Sequence, residues 1–187
     1  MPLAVVDVLD GYQALTGWAF TDDGSKNDGL RRFLGYWTVS AVDKNPCDEN
    51  AGQIDAGTSV SDLADALAAQ ELSTTTKPVP VTIGGRDGLY LELTAPTALD
   101  GPCWGRDGRF RFNVWVSSPG GGRSLENPGQ IDKIWIIDTE RGRVVFIASS
   151  WNVPPSPGGS PAAPSAEATK NQELIDMVKS VRFVNPN

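Results

Sequence analysis

Lys133-Ile134-Trp135-Ile136-Ile137-Asp138-Thr139 is the stretch from which the fold is read. Side chains alternate across a strand, so Ile134, Ile136 and Asp138 share one face and Trp135 and Ile137 the other. A strand that is apolar on both faces belongs in the middle of a sheet covered on each side. Glu140-Arg141-Gly142 follows as a turn, and Arg143 to Ser149 returns as a second β-branched and aromatic run, so the two predict a hairpin.

Beyond that hairpin, Asn152 to Pro164 carries five prolines and two glycines, which is too breaker-rich for a core element and predicts a surface loop. Glu167 to Ser180 then reads as a helix with Leu174, Ile175 and Val178 as its buried stripe, and Val181 to Val184 as a closing strand. Toward the N-terminus, Arg109 to Val116 is a strand. Val81 to Ile83 and Leu89 to Thr94 form a hairpin around Gly84-Gly85-Arg86-Asp87-Gly88. Thr58 to Gln70 is a helix capped by Ser59 and Asp62, with Leu63, Ala64 and Leu67 inward. Phe33 to Val42 reads as one aromatic strand, and Leu3 to Val8 with Tyr12 to Phe20 as a hairpin turned at Asp10-Gly11. Consecutive strands with two inserted helices predict a single α+β domain over residues 1–187, built on one mainly antiparallel sheet with two helices.

The 187 residues carry a formal charge of −7 and no histidine. An acidic chain is a poor polyphosphate binder, so nucleic acid is not an expected partner. Without histidine the chain lacks the commonest general base at neutral pH, the commonest transition-metal ligand and the usual partner of a serine or cysteine nucleophile. No cofactor and no metal site are expected, since two cysteines alone do not build a tetrahedral zinc site.

Three motifs are weighed against specific chemistries. Gly84 to Gly88 is followed by a strand, whereas a phosphate-binding loop opens a helix, so these glycines serve a tight turn. Thr21 to Gly29 crowds Asp22, Asp23, Asn27 and Asp28, but no register supplies the glycine and glutamate of an EF-hand loop. Arg109 and Arg111 alternate with Phe110 and Phe112, which is the pattern of a strand with a charged outer face and an aromatic inner one.

Cys47 and Cys103 have two readings: separate buried thiols, or one disulfide of an exported protein. Their turn contexts, Asn45-Pro46-Cys47 and Gly101-Pro102-Cys103, favour the bridge. No stretch approaches the ~20 apolar residues of a membrane span. The start, Met1-Pro2-Leu3-Ala4-Val5, lacks the marks of a signal peptide, so an exported form would carry its targeting segment upstream of Met1.

Several stretches together resemble a known group: Gly35-Tyr36-Trp37-Thr38-Val39 leading to Cys47, Ser61-Asp62-Leu63-Ala64-Asp65-Ala66-Leu67, Val81 to Gly88, Pro128 to Asp138, and Val178-Lys179-Ser180-Val181-Arg182-Phe183. They are similar to the extracytoplasmic domains of uncharacterised actinobacterial membrane proteins and lipoproteins. The resemblance implies an extracytoplasmic place, at the cell surface or secreted, with membrane attachment only through a tether outside this chain, and it supports the Cys47–Cys103 bridge. It implies no activity. The closing helix and Val-Arg-Phe strand also resemble the Mog1/PsbP-like fold, which carries shape and not function.

The function expected from these residues is a non-catalytic binding or sensing module for a protein or small-molecule partner. Trp37, Trp115 and Trp135 lie within apolar strands and are core candidates. Trp18, Trp104 and Trp151 stand beside turn residues and are the candidates for a ligand or partner surface. The alternatives are a structural domain of an envelope assembly, meeting its partner through a sheet edge or the proline-rich loop, and a carboxylate-based hydrolase using Asp132, Asp138 or Glu92.

Overall fold

In the computed structural model, residues 3–16, 19–22, 30–97, 101–105, 107–117, 121–152 and 167–184 are described. Among them the strands form three antiparallel sheets, of eight, four and two strands. The large sheet runs β2 (Tyr12–Thr16), β3 (Ala19–Asp22), β4 (Leu30–Trp37), β13 (Val144–Asn152), β12 (Ile131–Ile137) and β9 (Arg86–Thr94), with β7 (Thr74–Thr75) and β8 (Val79–Ile83) in succession along the outer side of β9. The second sheet runs β11 (Gly122–Leu125), β10 (Phe112–Ser117), β5 (Val39–Asp43) and β6 (Gln53–Asp55), and a ribbon pairs β1 (Leu3–Val5) with β14 (Arg182–Val184). The helices are α1 (Val60–Ala68) and α2 (Glu167–Lys179).

The expected hairpin is found, with β12 and β13 in register from Ile131 opposite Ser150 to Ile137 opposite Val144. Its two apolar faces are covered by different layers. Ile134 and Ile136 join Phe33, Trp37, Leu91, Leu93, Val145 and Ile147 under the four-stranded sheet and α1. Trp135 and Ile137 join Leu34, Phe146, Leu174, Met177 and Val178 under α2 and the ribbon.

This layering corrects the expected single sheet. The described residues are mostly β and form three sheets. A nine-residue helix is too small to cover the wide apolar face of eight strands, so a second sheet is needed there. The switch between sheets occurs inside the run read as one strand. Phe33 to Val42 divides at Thr38 into the end of β4, which pairs with β13, and β5, which pairs with β10. The first hairpin is also corrected. β1 pairs with β14 at the far end of the chain, and the turn at Gly11, φ +84°, redirects the chain into β2, whose partner is β3.

Other elements form as read. Ser59 caps α1, its side chain accepting from Asp62 N–H while the Asp62 carboxylate accepts from Ser59 N–H, and that bond, with the one from Thr58 N–H, holds the Asp62 pKa below its ordinary value. Gly84 and Gly85, at φ +56° and +74°, make the two-residue turn from β8 to β9. In β4, a Cβ on Gly35 would lie 2.6 Å from the Trp37 ring, so the bare glycine lets Phe33 and Trp37 meet over it with centroids 5.6 Å apart. Trp37 then meets Trp115 of the second sheet edge-on at 5.8 Å.

Charged groups tie the layers. Arg123 in β11 makes a two-point bond with Asp132 in β12, both contacts 2.7 Å, and the pair is buried between the sheets with the guanidinium 5.0 Å from the Phe33 ring centre. Arg143 reaches from the start of β13 to the carbonyls of Gly57, Ser59 and Val39, joining the α1 entry to the sheet switch. Removing one member of a buried ion pair leaves the other charge without compensation. Arg123→Ala is therefore expected to lower unfolding free energy by about 3–5 kcal/mol, while the apolar double replacement Arg123→Met with Asp132→Leu loses far less. Chemical denaturation of the three chains checks this, and a single variant as stable as the parent would refute it.

Candidate functional site

Cys47 and Cys103 are joined, with Cα atoms 4.5 Å apart across a sequence separation of 56. Cys103 begins a small hairpin whose described residues are 103–105 and 107–111. Gly105 N–H donates to Arg109 O and Arg111 N–H to Cys103 O, each at 2.9 Å, and Gly108, at φ +71°, makes the turn. Between these bonds Trp104 and Phe110 face each other edge to face at 5.8 Å. Asp107 braces the hairpin: its carboxylate accepts from Arg109 N–H at 3.2 Å and from the Arg111 guanidinium at 2.6 Å. These contacts, the Arg109 backbone bond foremost, hold its pKa below the usual carboxylate value.

Between this hairpin and the end of β11 lies a groove of about 590 Å³, lined by Trp104, Gly108, Arg109, Arg111, Ser124 and Glu126 over a floor of Phe110 and Leu125. That volume suits a small molecule or a short chain segment. It combines an aromatic wall, two cations and an acid with a buried apolar floor. The disulfide fixes its position, because Cys47 lies in the β5–β6 connection and the adjacent Pro46 carbonyl accepts from Asn113 N–H at 2.8 Å.

Of the tryptophans expected at a surface, Trp104 is half-buried and lines the groove. Trp151, also half-buried, stands 5.9 Å from the Arg123 guanidinium and covers the Arg123–Asp132 pair. Trp18 lies outside the described residues, as does the proline-rich loop beyond Asn152, which itself ends β13. Trp37, Trp115 and Trp135 are buried. Arg109 and Arg111 are exposed and Phe110 and Phe112 buried, the two faces that the alternation predicts, but β10 begins only at Phe112 and Arg109 to Arg111 belong to the hairpin. The alternation alone does not disclose the groove beside that outer face. The signal lay in the sequence as Trp104 and Phe110 placed either side of Gly105 and Gly108, a short hairpin that sets the arginines beside an aromatic.

The candidate acids are not brought together. Asp132 is buried against Arg123, and Glu92 accepts from Lys133 Nζ and Tyr90 Oη, both at 2.6 Å. Burial raises the Glu92 pKa, and those two hydrogen bonds together with the Lys133 charge more than offset it, so the net shift is downward. Glu92 stands opposite Lys133, the neighbour of Asp132, so the two carboxylates point to opposite faces of the sheet. Asp138 is exposed past the end of β12. A second groove, lined by Asp43, Asp48, Glu49 and Gln53, is acidic and polar, and burial followed by the nearby Glu49 charge raises the Asp43 pKa. Among the described residues no three or more Asp, Glu or Cys side chains are grouped to hold a metal ion.

No family model matches the chain, and no curated protein matches it. Among solved structures it is similar to that of LpqN, a protein involved in cell envelope biogenesis of Mycobacterium tuberculosis, at a TM-score of 0.42 and 12% identity over 99% of this chain and 85% of that one. A likeness this distant establishes neither the Mog1/PsbP-like fold nor a function for this chain.

The geometry makes the disulfide testable through the groove. Replacing both cysteines by serine is expected to cost about 4 kcal/mol, the loop-closure entropy of a crosslink of this span. It should also broaden or shift the Gly105 and Gly108 amide resonances, because the base of the hairpin is freed. Thiol titration of the denatured, unreduced parent should find no reactive thiol, and two would sink the bridge.

Proposed function

We propose that this chain is a non-catalytic, extracytoplasmic binding domain and that its ligand sits in the Trp104 groove. The observation that carries the reading is the convergence of an aromatic wall and the Arg109 and Arg111 guanidiniums, both on one covalently anchored hairpin, over a buried apolar floor of Phe110 and Leu125. Clefts of this build, mostly apolar with a few placed polar groups, are what ligand sites generally require. Support for the compartment comes from the disulfide, since such bonds persist in oxidising surroundings. Among the described residues no helix is long and apolar enough to cross a membrane.

The non-catalytic part of the reading rests on the acids. Glu92 is committed to Lys133 and Asp132 to Arg123, on opposite sides of the sheet, and a hydrolytic pair needs two carboxyl groups facing one cleft. Titration of the ¹⁵N-labelled chain with a panel of saccharide fragments, peptides and small acids tests the site. The expected result is movement of the Trp104 indole and the Gly108 and Phe110 amides by at least one probe, with Trp104→Phe, which keeps the packing on Phe110, weakening it severalfold. Indifference of those resonances across the panel would overturn the site, and sustained turnover of any ester, glycoside or peptide probe would overturn the non-catalytic reading.

A further inference from the structure

The hairpin that carries Trp104 leaves one rung of a β-ladder unfilled. In an antiparallel pair, two residues that do not exchange hydrogen bonds turn their N–H and C=O groups away from each other. Trp104 and Phe110 are such a pair, since the bonds that flank them run from Gly105 to Arg109 and from Arg111 to Cys103. The N–H and C=O of Phe110 therefore point away from Trp104, along the line of β11. Two residues on, Phe112 pairs with Leu125, and the same register continued would set Asn127 opposite Phe110.

Asn127 is not there, for a visible reason. The N–H groups of Glu126 and Asn127 donate to Gln130 Oε1 at 3.0 and 3.2 Å, and Gln130 is buried and donates in turn to Ser149 Oγ. The chain thus peels off the ladder after Leu125. Among the described residues the main-chain N–H and C=O of Phe110 have no hydrogen-bond partner. The groove between Phe110 and Glu126 is the vacated position.

Resting on the binding role above, we propose that the groove takes an extended acidic peptide segment, which fills the rung beside Phe110 and sets an acidic side chain against Arg109. A single residue of an extended peptide offers both the donor and the acceptor that Phe110 is missing. The residue opposite Phe110 faces the apolar floor, so an apolar side chain belongs there. Its neighbours point to the outer face, where Arg109 and Arg111 stand. Arg111 is already paired with Asp107, whereas the Arg109 guanidinium makes no hydrogen bond or ion pair among the described residues. Glu126 on the opposite wall repels a second acid, which places the carboxylate at the Arg109 end.

The test uses the full chain, ¹⁵N-labelled, and a peptide of alternating Val and Glu blocked at both ends, with amide hydrogen exchange at Phe110 as readout. The expected result is slowed exchange of the Phe110 amide on saturation. The Gln-for-Glu peptide should bind about tenfold more weakly, as loss of one charge-assisted hydrogen bond implies. Arg109→Gln, at an exposed side chain without partners among the described residues, should fold normally and bind the two peptides alike. Unaltered Phe110 exchange with the Val-Glu peptide would overturn the proposal, and so would equal binding of both peptides by the parent chain. If an N-acetylated amino-sugar oligomer shifts the Trp104 and Phe110 resonances while the peptide does not, the peptide inference falls and the groove stands. If no probe moves them, both fall.

Discussion

A strand that is apolar on both faces must be covered twice, and most of this architecture answers that demand. Ile134 and Ile136 on one side of β12, with Trp135 and Ile137 on the other, each sit in a separate buried cluster. Neighbouring strands repeat the arrangement, Val145 and Ile147 facing one way and Val144 and Phe146 the other. One cover is α2 with the terminal ribbon, and the other is α1 with a complete second sheet. The burial of these side chains is the dominant favourable term for a sheet of this kind.

Packing two sheets face to face brings a cost wherever a polar group is trapped between them, and here the trapped groups are organised. Arg123 and Asp132 meet through two hydrogen bonds from the Nε–Nη2 edge of the guanidinium and lie against Phe33 and Trp151. Arg143 satisfies three carbonyls at a place where the chain changes sheets and a helix begins. Buried charge is a weak source of net stability, but its geometry is demanding, and a slip of one residue between β11 and β12 would leave both Arg123 and Asp132 without partners. The pair therefore fixes how the small sheet sits on the large one. The groove inherits that alignment, because β11 forms one of its walls.

Much of the local structure was legible in the sequence because it rests on local rules. The β12–β13 hairpin follows from side-chain alternation, α1 from Ser59 and Asp62 at capping distance, and the β8–β9 turn from paired glycines. The disulfide was legible from turn contexts and a resemblance, not from spacing. What stayed hidden is pairing between distant segments. β1 meets β14 across almost the whole chain, and no local pattern encodes that choice. The break at Thr38 carries no glycine or proline, so Phe33 to Val42 looked continuous although its halves serve different sheets. Of the candidate site, Trp104 was legible beside its turn residues. Arg109 was not, because alternation predicts its exposure and says nothing of what stands across from it.

The groove arises from the same competition that shapes the core. Each backbone amide near a strand end can continue the ladder or turn to a side chain, and side chains that accept from nearby backbone compete directly with sheet pairing. Gln130 wins that competition for Glu126 and Asn127, and it does so from a buried position secured by Ser149 on β13. The open rung at Phe110 is thus tied to the central strands and not to a loose loop end. The opposite side of the opening is tied covalently, through Cys103 at the foot of the hairpin. Both walls being anchored, the spacing between them is set before any ligand arrives, and a ligand that fits meets little cost in ordering the site. A cleft made merely by two mobile loops would lack that property, and this is why the groove, more than any other concavity of the described residues, is where recognition is placed.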